Sequence, residues 1–297
     1  MYSHSIRGLI IRKSRAYALC IRSRTEKRTI TFAWAALISI LIATKAAPPL
    51  ITAIAITLTS YMIALSVYIY NDVVDYEVDK INKLERPVAQ GKVSRKDAAT
   101  ISLILAITGV VVSYLVNMEA LLLTLLFLII GFLYSAPGVY LKGKGVYAKT
   151  LFPAILGGIS GVLGGAAVGV LTPSVLYCGF LYFILVFGAA PLMDLKDMKG
   201  DKSSGYKTVP IVYGPKFTIK LAMLTFFSLI PITFFSYPRL GYNILTPILI
   251  TGTSLVMMLL LYTFLKRWQN PAYLRKIIRI MAGINLLQYL ALVIGTL

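Results

Sequence analysis

The sequence predicts an all-α membrane protein, a bundle of nine transmembrane helices with two aspartate-rich cytoplasmic motifs after helices 2 and 6. Of its 297 residues, 58% are hydrophobic and only 14% are charged, and the mean hydropathy is +0.80. Such values are typical of a polytopic membrane protein. Nine apolar segments are each near the length that crosses hydrocarbon. They run over about 29–47, 49–70, 98–116, 118–136, 149–171, 173–193, 217–237, 243–265 and 277–297.

Residues 1–28 form a basic amphipathic N-terminal arm in this interpretation, and residues 29–297 form the nine-helix domain. The arm carries eight basic side chains and one acidic side chain, with apolar residues at helical spacing among the arginines. This pattern suits a helix that lies on an anionic membrane surface. Because no small-residue cleavage site follows a short apolar core, we do not interpret the arm as a signal peptide.

The connections between the spans alternate in length. Only Pro48-Pro49 separates the first two spans, and only Thr172-Pro173 separates the fifth and sixth, whereas 71–97 and 194–216 are long and polar. The fifth span is rich in glycine and alanine. Small residues let helices approach closely, and the alternative is that they expose bare backbone to a substrate tail.

The distribution of Lys and Arg predicts the orientation. Twenty-eight of the 30 basic residues fall in the arm and in the connections on one side, and only Lys45 and Arg239 fall on the other. The positive-inside rule therefore places the N-terminus and both acidic motifs in the cytoplasm, and the C-terminus on the opposite side of the plasma membrane. The net charge of +19 thus reflects topology and does not indicate nucleic-acid binding.

Histidine and cysteine offer little for chemistry. The only histidine, His4, lies in the basic arm, and the two cysteines, Cys20 and Cys178, are too few for a metal knuckle. We interpret both cysteines as small buried hydrophobic residues. Chemistry in this chain must therefore use carboxylates, Lys, Arg, Tyr and a bound metal ion.

The first acidic motif follows directly on the apolar run that ends at Tyr70. Its members are Asn71, Asp72, Asp75 and Asp79. The three aspartates stand at i, i+3 and i+7, so they share one face if the preceding helix continues. Carboxylates on one face repel one another, and a divalent cation among them would offset that cost. Hard oxygen ligands suit Mg²⁺, which binds through one or two carboxylates plus substrate phosphates.

The second acidic motif repeats this spacing after another apolar run. Its members are Asp194, Asp197 and Asp201, with Lys202 placed as Lys80 is placed after the first motif. Together the motifs use six of the chain's eleven acidic residues, which argues against two solvated helix ends. They follow spans four helices apart, so we expect an internal repeat that brings the two acidic ends face to face.

Two facing carboxylate clusters predict more than one divalent ion with a diphosphate between them. Nearby cations would take up charge on a departing diphosphate; the candidates are Arg86, Lys142, Lys144, Lys202 and Lys207. A site at the mouth of an apolar bundle favours an amphiphile such as a polyprenyl diphosphate. Ionisation of its allylic C–O bond leaves a carbocation, which aromatic faces stabilise. Tyrosines in spans on the motif side are Tyr68, Tyr70, Tyr134 and Tyr182.

At these residues the chain resembles the UbiA superfamily of intramembrane prenyltransferases. Asn71 to Asp79 resemble its NDxxDxxxD signature, Arg86-Pro87 and Gly91 its RPxxxG continuation, and Asp194 to Asp201 its DxxDxxxD. Gly205, Thr208 and Pro210 match its GxxTLP tail, with Val209 in place of leucine. Tyr134-Ser135 and Lys142 match its YS…K segment. The resemblance implies Mg²⁺-dependent transfer of a prenyl group from its diphosphate to an acceptor.

The motifs and the resemblance together define the expected site. We expect catalytic roles for Asp72, Asp75, Asp194, Asp197 and Lys142. The expected metal ligands are Asn71, Asp72, Asp75, Asp79, Asp194, Asp197 and Asp201. The expected diphosphate-binding residues are Arg86, Lys142, Lys144, Lys202, Tyr134 and Ser135.

The acceptor stays open within the resemblance. A small aromatic acceptor, such as a hydroxybenzoate-type quinone precursor, and geranylgeranylglyceryl phosphate are both compatible with the sequence. The Gly200-Asp201 pair resembles chlorophyll-synthase-like and archaeal ether-lipid members more than hydroxybenzoate ones, and a phosphorylated glycerol acceptor would use the surplus of cytoplasmic lysines. Taken together, we favour the ether-lipid or quinone branches. The basic arm is longer than expected for the family, and the sequence assigns it no role.

Two other classes of membrane protein compete with this interpretation. A transporter or lipid flippase could use the aspartates as a cation site, but its spans should then carry ionisable residues near their middle, and these spans carry almost none. A CDP-alcohol phosphotransferase would need DG and AR within a single motif, and neither is present.

Overall fold

The computed structural model describes residues 2–25, 29–81, 84–203 and 205–297, and these residues form helices and connections without strands. The helices are α1 (Tyr2–Arg24), α2 (Ile30–Ala43), α3 (Leu50–Val74), α4 (Tyr76–Ile81), α5 (Arg95–Val116), α6 (Met118–Ser135), α7 (Ala148–Ala167), α8 (Pro173–Ser203), α9 (Val209–Val212), α10 (Pro215–Ser236), α11 (Leu245–Leu265) and α12 (Pro271–Thr296). A 3₁₀ turn over Leu141–Gly143 precedes α7.

Eight helices of the described chain are long and apolar enough to cross a membrane. The remaining predicted span is α2, which has 14 residues and is therefore about 21 Å long at ~1.5 Å per residue. That is shorter than the ~30 Å hydrocarbon layer. The all-helical membrane fold is thus confirmed with eight candidate spans, and the count of nine stays a prediction.

Capping residues set the start of α12, which the apolar pattern placed too late, and the α5–α6 boundary, which the pattern placed correctly. α12 begins at Pro271, earlier than the expected 277, because the Asn270 side chain accepts hydrogen bonds from the Ala272 and Tyr273 amides. Asn117 ends α5 and caps α6 by accepting from the Ala120 amide, and its Nδ2 donates to the Ala166 carbonyl at 2.8 Å. One side chain thereby fixes the α5–α6 turn and ties it to α7.

Helices α2, α7 and α8 pack closely through glycine. A Cβ on Gly164 would collide with the Ala36 carbonyl oxygen and lie 2.5 Å from the Ile40 nitrogen of α2. A Cβ on Gly161 would lie 2.8 Å from the Cα of Gly179 in α8. The small residues of the fifth span therefore serve helix packing, as one of the two sequence interpretations expected.

The second half of the arm packs into the bundle. Ala16 and Cys20 of α1 are buried in one apolar cluster with Leu65 and Ile69 of α3 and Ala98 of α5. α1 ends at Arg24, whose side chain is also buried. This packing places the end of the arm beside the first acidic motif.

Candidate active site

The first acidic motif spans the end of α3 and the short helix α4. Asn71 and Asp72 lie in the last turn of α3, Asp75 is the residue after that helix ends, and Asp79 lies in α4. The Asp75 amide still donates to the Asn71 carbonyl at 2.9 Å, and the Asp79 amide donates to the Asp75 carbonyl at 2.8 Å. The helix therefore breaks at one residue, and backbone hydrogen bonds of helical spacing continue on both sides of it.

Two arginines neutralise the outer carboxylates of this motif. Asp72 is buried and accepts from Arg24 Nε at 2.8 Å, with a second contact to the same guanidinium. Arg86 Nη1 lies 3.2 Å from Asp72 Oδ1 and also forms an ion pair with Asp79. Burial raises the pKa of the Asp79 carboxyl, and the Arg86 charge opposes that rise. Arg24 also stacks over Tyr68, with Cζ 5.6 Å from the ring centre.

The middle carboxylate, Asp75, is held by Lys142 and Asn71. Lys142 Nζ lies 2.5 and 2.6 Å from its two oxygens, and Asn71 Nδ2 donates to Oδ2 at 2.9 Å. Asn71 also donates to Ser135 Oγ at 2.7 Å. Lys142 is buried, and burial lowers the pKa of its ammonium while the Asp75 charge opposes that shift. Asn71 and Asp75 of the motif therefore form one hydrogen-bond network with Ser135 and Lys142, two of the residues expected in the site.

The second acidic motif lies on the last turns of α8, which continues past the predicted end at 193. Asp201 is buried, and its Oδ1 accepts from Lys149 Nζ at 2.7 Å. Its Oδ2 is buried and accepts no hydrogen bond within the described chain. Lys149 also lies 4.6 Å from the centre of the Tyr206 ring.

Tyr140 lies between the two motifs. Its ring stacks on Tyr206 at 6.1 Å with a 20° interplanar angle, and the two hydroxyls are hydrogen-bonded. Burial, then the charges of Asp75, Asp201 and Asp79, raise the pKa of the Tyr140 phenol to about 12. One phenol therefore lies in the field of carboxylates from both motifs. Its backbone is left-handed at φ 49°, a strain that non-glycine residues adopt at a cost and often at functional sites.

The other expected site residues are distributed unevenly. Tyr134 lies beside Lys142, whose Nζ is 5.9 Å from its ring centre. Lys144 and Lys202 are exposed and form none of the salt bridges found in the described part of the chain. Tyr182 is buried and stacks at 3.7 Å on Tyr289, so it belongs to the core and not to the site.

Two cations of the site were not among the sequence predictions. Arg24 comes from the arm, 48 residues before Asp72, and Lys149 comes from the start of α7, 52 residues before Asp201. For Arg24 the only sequence signal was the unusual basic content of the arm. For Lys149 the signal was its place in the connection that already contained Lys142.

The chemistry of the site fits Mg²⁺, although no cluster of three acidic, His or Cys side chains that could hold a metal forms among the described residues. The available donors are carboxylate and amide oxygens, the ligands that Mg²⁺ prefers. Oδ2 of Asp201 is buried and unused by any hydrogen bond within the described chain. Four cations, Arg24, Arg86, Lys142 and Lys149, now pair with the carboxylates.

An apolar helical bundle with aspartate motifs at one end defines an integral membrane protein. The sequence profile of the UbiA prenyltransferase family matches residues 32–282. The chain therefore belongs to the UbiA prenyltransferase family, and it is a UbiA-type enzyme. Family membership favours the enzyme over the transporter or flippase alternative.

Three known proteins illustrate the similarity. Digeranylgeranylglyceryl phosphate synthase of Thermococcus sibiricus is 32% identical over 200 residues, which cover 66% of this chain and 70% of that protein. A solved structure concerned with digeranylgeranylglyceryl phosphate synthase in membranes is 25% identical, with a TM-score of 0.73 over 96% of this chain and 98% of that one. A UbiA homolog from Archaeoglobus fulgidus, bound to GPP and Mg²⁺, is 17% identical, with a TM-score of 0.64 over 94% and 99% of the two chains.

Proposed function

We propose that this enzyme transfers a polyprenyl group, such as geranylgeranyl, from its diphosphate to the hydroxyl of geranylgeranylglyceryl phosphate. The observation that carries the proposal is the arrangement around Tyr140. There the Asp75–Lys142 pair and the Asp201–Lys149 pair flank two stacked rings, with Lys142 Nζ 4.9 Å from the centre of Tyr140 and Lys149 Nζ 4.6 Å from the centre of Tyr206. The name of the Thermococcus sibiricus relative supports this acceptor over a small aromatic acceptor.

Four cations suit the diphosphate head. Arg24, Arg86, Lys142 and Lys149 each pair with a motif carboxylate. Charge-assisted hydrogen bonds to phosphate oxygens are short and strong, so a diphosphate can draw these cations from their carboxylates. The freed aspartates of both motifs, with Asn71, would then hold Mg²⁺. Bound Mg²⁺ would supply charge stabilisation to the departing diphosphate.

The reaction breaks one bond and forms another. The C1–O bond of the prenyl diphosphate breaks, and its electron pair stays on the diphosphate, where Arg86, Lys142 and Lys149 stabilise the added charge. The allylic cation that remains lies against aromatic faces, for which Tyr134 and Tyr140 are the nearest candidates at Lys142. The glycerol hydroxyl oxygen bonds to C1 and releases its proton to a motif carboxylate or to water.

We also propose the orientation that the charge distribution predicts. Both aspartate motifs and the N-terminus would lie on the cytoplasmic side of the plasma membrane, with the C-terminus opposite. Labelling of Lys80 and Lys202 in intact and opened cells tests this topology. Both lysines should react only after the membrane is opened, and labelling of the two from opposite sides would overturn it.

Incubation of the purified protein with Mg²⁺ and radiolabelled geranylgeranyl diphosphate tests the reaction. The acceptors to compare are geranylgeranylglyceryl phosphate, hydroxybenzoate and dihydroxynaphthoate, with products resolved by chromatography. A labelled ether lipid with the first acceptor alone is the expected result. A prenylated aromatic product would instead replace the proposed acceptor, and no product from any acceptor would overturn the proposed reaction.

A further inference from the structure

The last third of the chain has an unusual charge composition. Residues 202–297 contain ten Lys and Arg residues and no Asp or Glu. None of these cations can therefore form an ion pair within its own third of the chain. Only Arg239 falls on the predicted outer side, so the other nine lie at the end of the bundle that carries the acidic motifs.

Four of these cations line one cleft. An open groove with a volume of about 660 Å³ lies between the first turns of α10 and the turn that joins α11 to α12. Its charged lining consists of Lys216 and Lys220 from α10 and Lys266 and Arg267 from the turn, and Trp268 lies beside them. The lining contains no acidic side chain of the described residues. Ligand pockets in proteins commonly measure about 300–1,000 Å³, so the cleft can hold a phosphate with part of its ester.

The walls of the cleft are fixed by the fold. Lys216 and Lys220 are four residues apart, so they share one face of α10. On the opposite wall, the Arg267 amide donates to the Phe264 carbonyl at 2.8 Å, and the Asn270 amide donates to the Arg267 carbonyl at 3.0 Å. Trp268 is half-buried and packs on the main apolar core. The backbone of both walls is therefore fixed, and the four cationic side chains are exposed at the cleft, with Lys266 and Arg267 lying against the rings of Tyr262 and Tyr273.

The electrostatics of the cleft favour an anion. Four like charges around one space repel one another, and a phosphate between them offsets that repulsion. The start of α10 and the end of α11 bring helix dipole ends of opposite sign to the cleft, so the side-chain cations favour the anion and the helix dipoles do not decide it. Basic pockets between helices on the cytoplasmic side bind lipid head groups, and tryptophan favours the same membrane–water interface.

We propose that this α10–α12 cleft binds the phosphate group of an anionic amphiphile of the membrane. The proposal needs neither the prenyl transfer reaction nor its acceptor, because it stands on the cleft alone. The phosphate would lie among the four cations, and the apolar chains would lie along the lipid-facing sides of α10 and α11.

Fluorescence of Trp268 in the full chain provides the binding measurement. The chain has two tryptophans, and Trp34→Phe leaves Trp268 as the only one. The protein in neutral detergent micelles is titrated with phosphatidic acid, with phosphatidylcholine, and with inorganic phosphate. A saturable change with phosphatidic acid, absent with phosphatidylcholine and much weaker with inorganic phosphate, is expected. No saturable change with phosphatidic acid would overturn the site, and equal affinity for inorganic phosphate would overturn the amphiphile as its ligand.

Charge-matched variants then locate the binding. Lys216→Gln with Lys266→Gln should weaken phosphatidic acid binding by at least about tenfold, because each lost charge-assisted hydrogen bond weakens binding roughly tenfold or more. Arg275→Gln with Lys276→Gln removes the same charge from exposed positions on α12 outside the cleft and should leave affinity within about twofold. An equal loss in both pairs would show non-specific attraction and overturn the proposal.

A third variant guards against misfolding. Lys216→Arg with Lys266→Arg keeps the charge and should retain affinity within about threefold, and size-exclusion profiles of all variants should match that of the parent. If the arginine variant loses affinity as the glutamine variant does while its profile stays unchanged, the phosphate does not depend on these charges and the proposal fails.

Discussion

Replacing Arg24 with alanine should destabilise the whole protein, although Arg24 lies in the arm outside the predicted helical domain. The Arg24 and Asp72 side chains are only 10% and 4% exposed. Removing one partner of a buried ion pair costs about 3–5 kcal/mol, because the other charge stays buried without compensation. Arg86 remains 3.2 Å from Asp72, so we expect the lower end, about 3 kcal/mol. At ~2–4 °C per kcal/mol, the melting temperature should fall by about 6–12 °C.

Thermal unfolding in detergent, followed by circular dichroism at a fixed heating rate, measures this effect. Arg15→Ala is the matched control, because it removes the same side chain from an exposed position of the same helix and should change stability by less than ~0.5 kcal/mol. Arg24→Lys keeps the charge but loses the paired guanidinium contacts, so it should fall between the two. If Arg24→Ala and Arg15→Ala have the same melting temperature, the ion pair does not stabilise the fold.

Three further predictions concern the metal, the second motif and the packing. Chelation by EDTA should abolish prenyl transfer and added Mg²⁺ should restore it; turnover that persists in EDTA would refute metal dependence. Asp194→Asn should lower kcat by about a hundredfold or more without shifting the melting temperature, and near-normal turnover would remove Asp194 from the site. Gly164→Ala should cost about 1–3 kcal/mol of stability, because the added methyl group overpacks against α2. Gly252→Ala, where an added Cβ would meet no atom within 4 Å, should be neutral or stabilising; equal melting temperatures would contradict the close packing.

The acidic motifs could be predicted because their residues are close together in the sequence. Asn71 and Asp75 are four residues apart, so helical geometry alone brings them into hydrogen-bonding distance. Ser135 and Lys142 came from the family resemblance, and the structure places both against this pair. Apolar length likewise located the long helices, because the hydrocarbon layer imposes it.

The pairings of Arg24 and Lys149 could not be predicted in this way. Each joins residues about fifty positions apart, so each depends on how helices pack and not on a spacing along the chain. A count of basic residues treats every lysine and arginine as an equal topological signal. It therefore does not distinguish Arg24, buried against a carboxylate, from Arg15, exposed on the same helix.

The position of Arg24 has a practical consequence for making shortened forms of this protein. A boundary drawn from hydropathy would start the chain at residue 29 and keep every apolar segment. Such a product would lack the guanidinium that contacts Asp72 and the apolar side chains of Ala16 and Cys20 that cover α3 and α5. Purification tags and fusion partners are therefore better attached through a flexible spacer before residue 1, with the arm left whole.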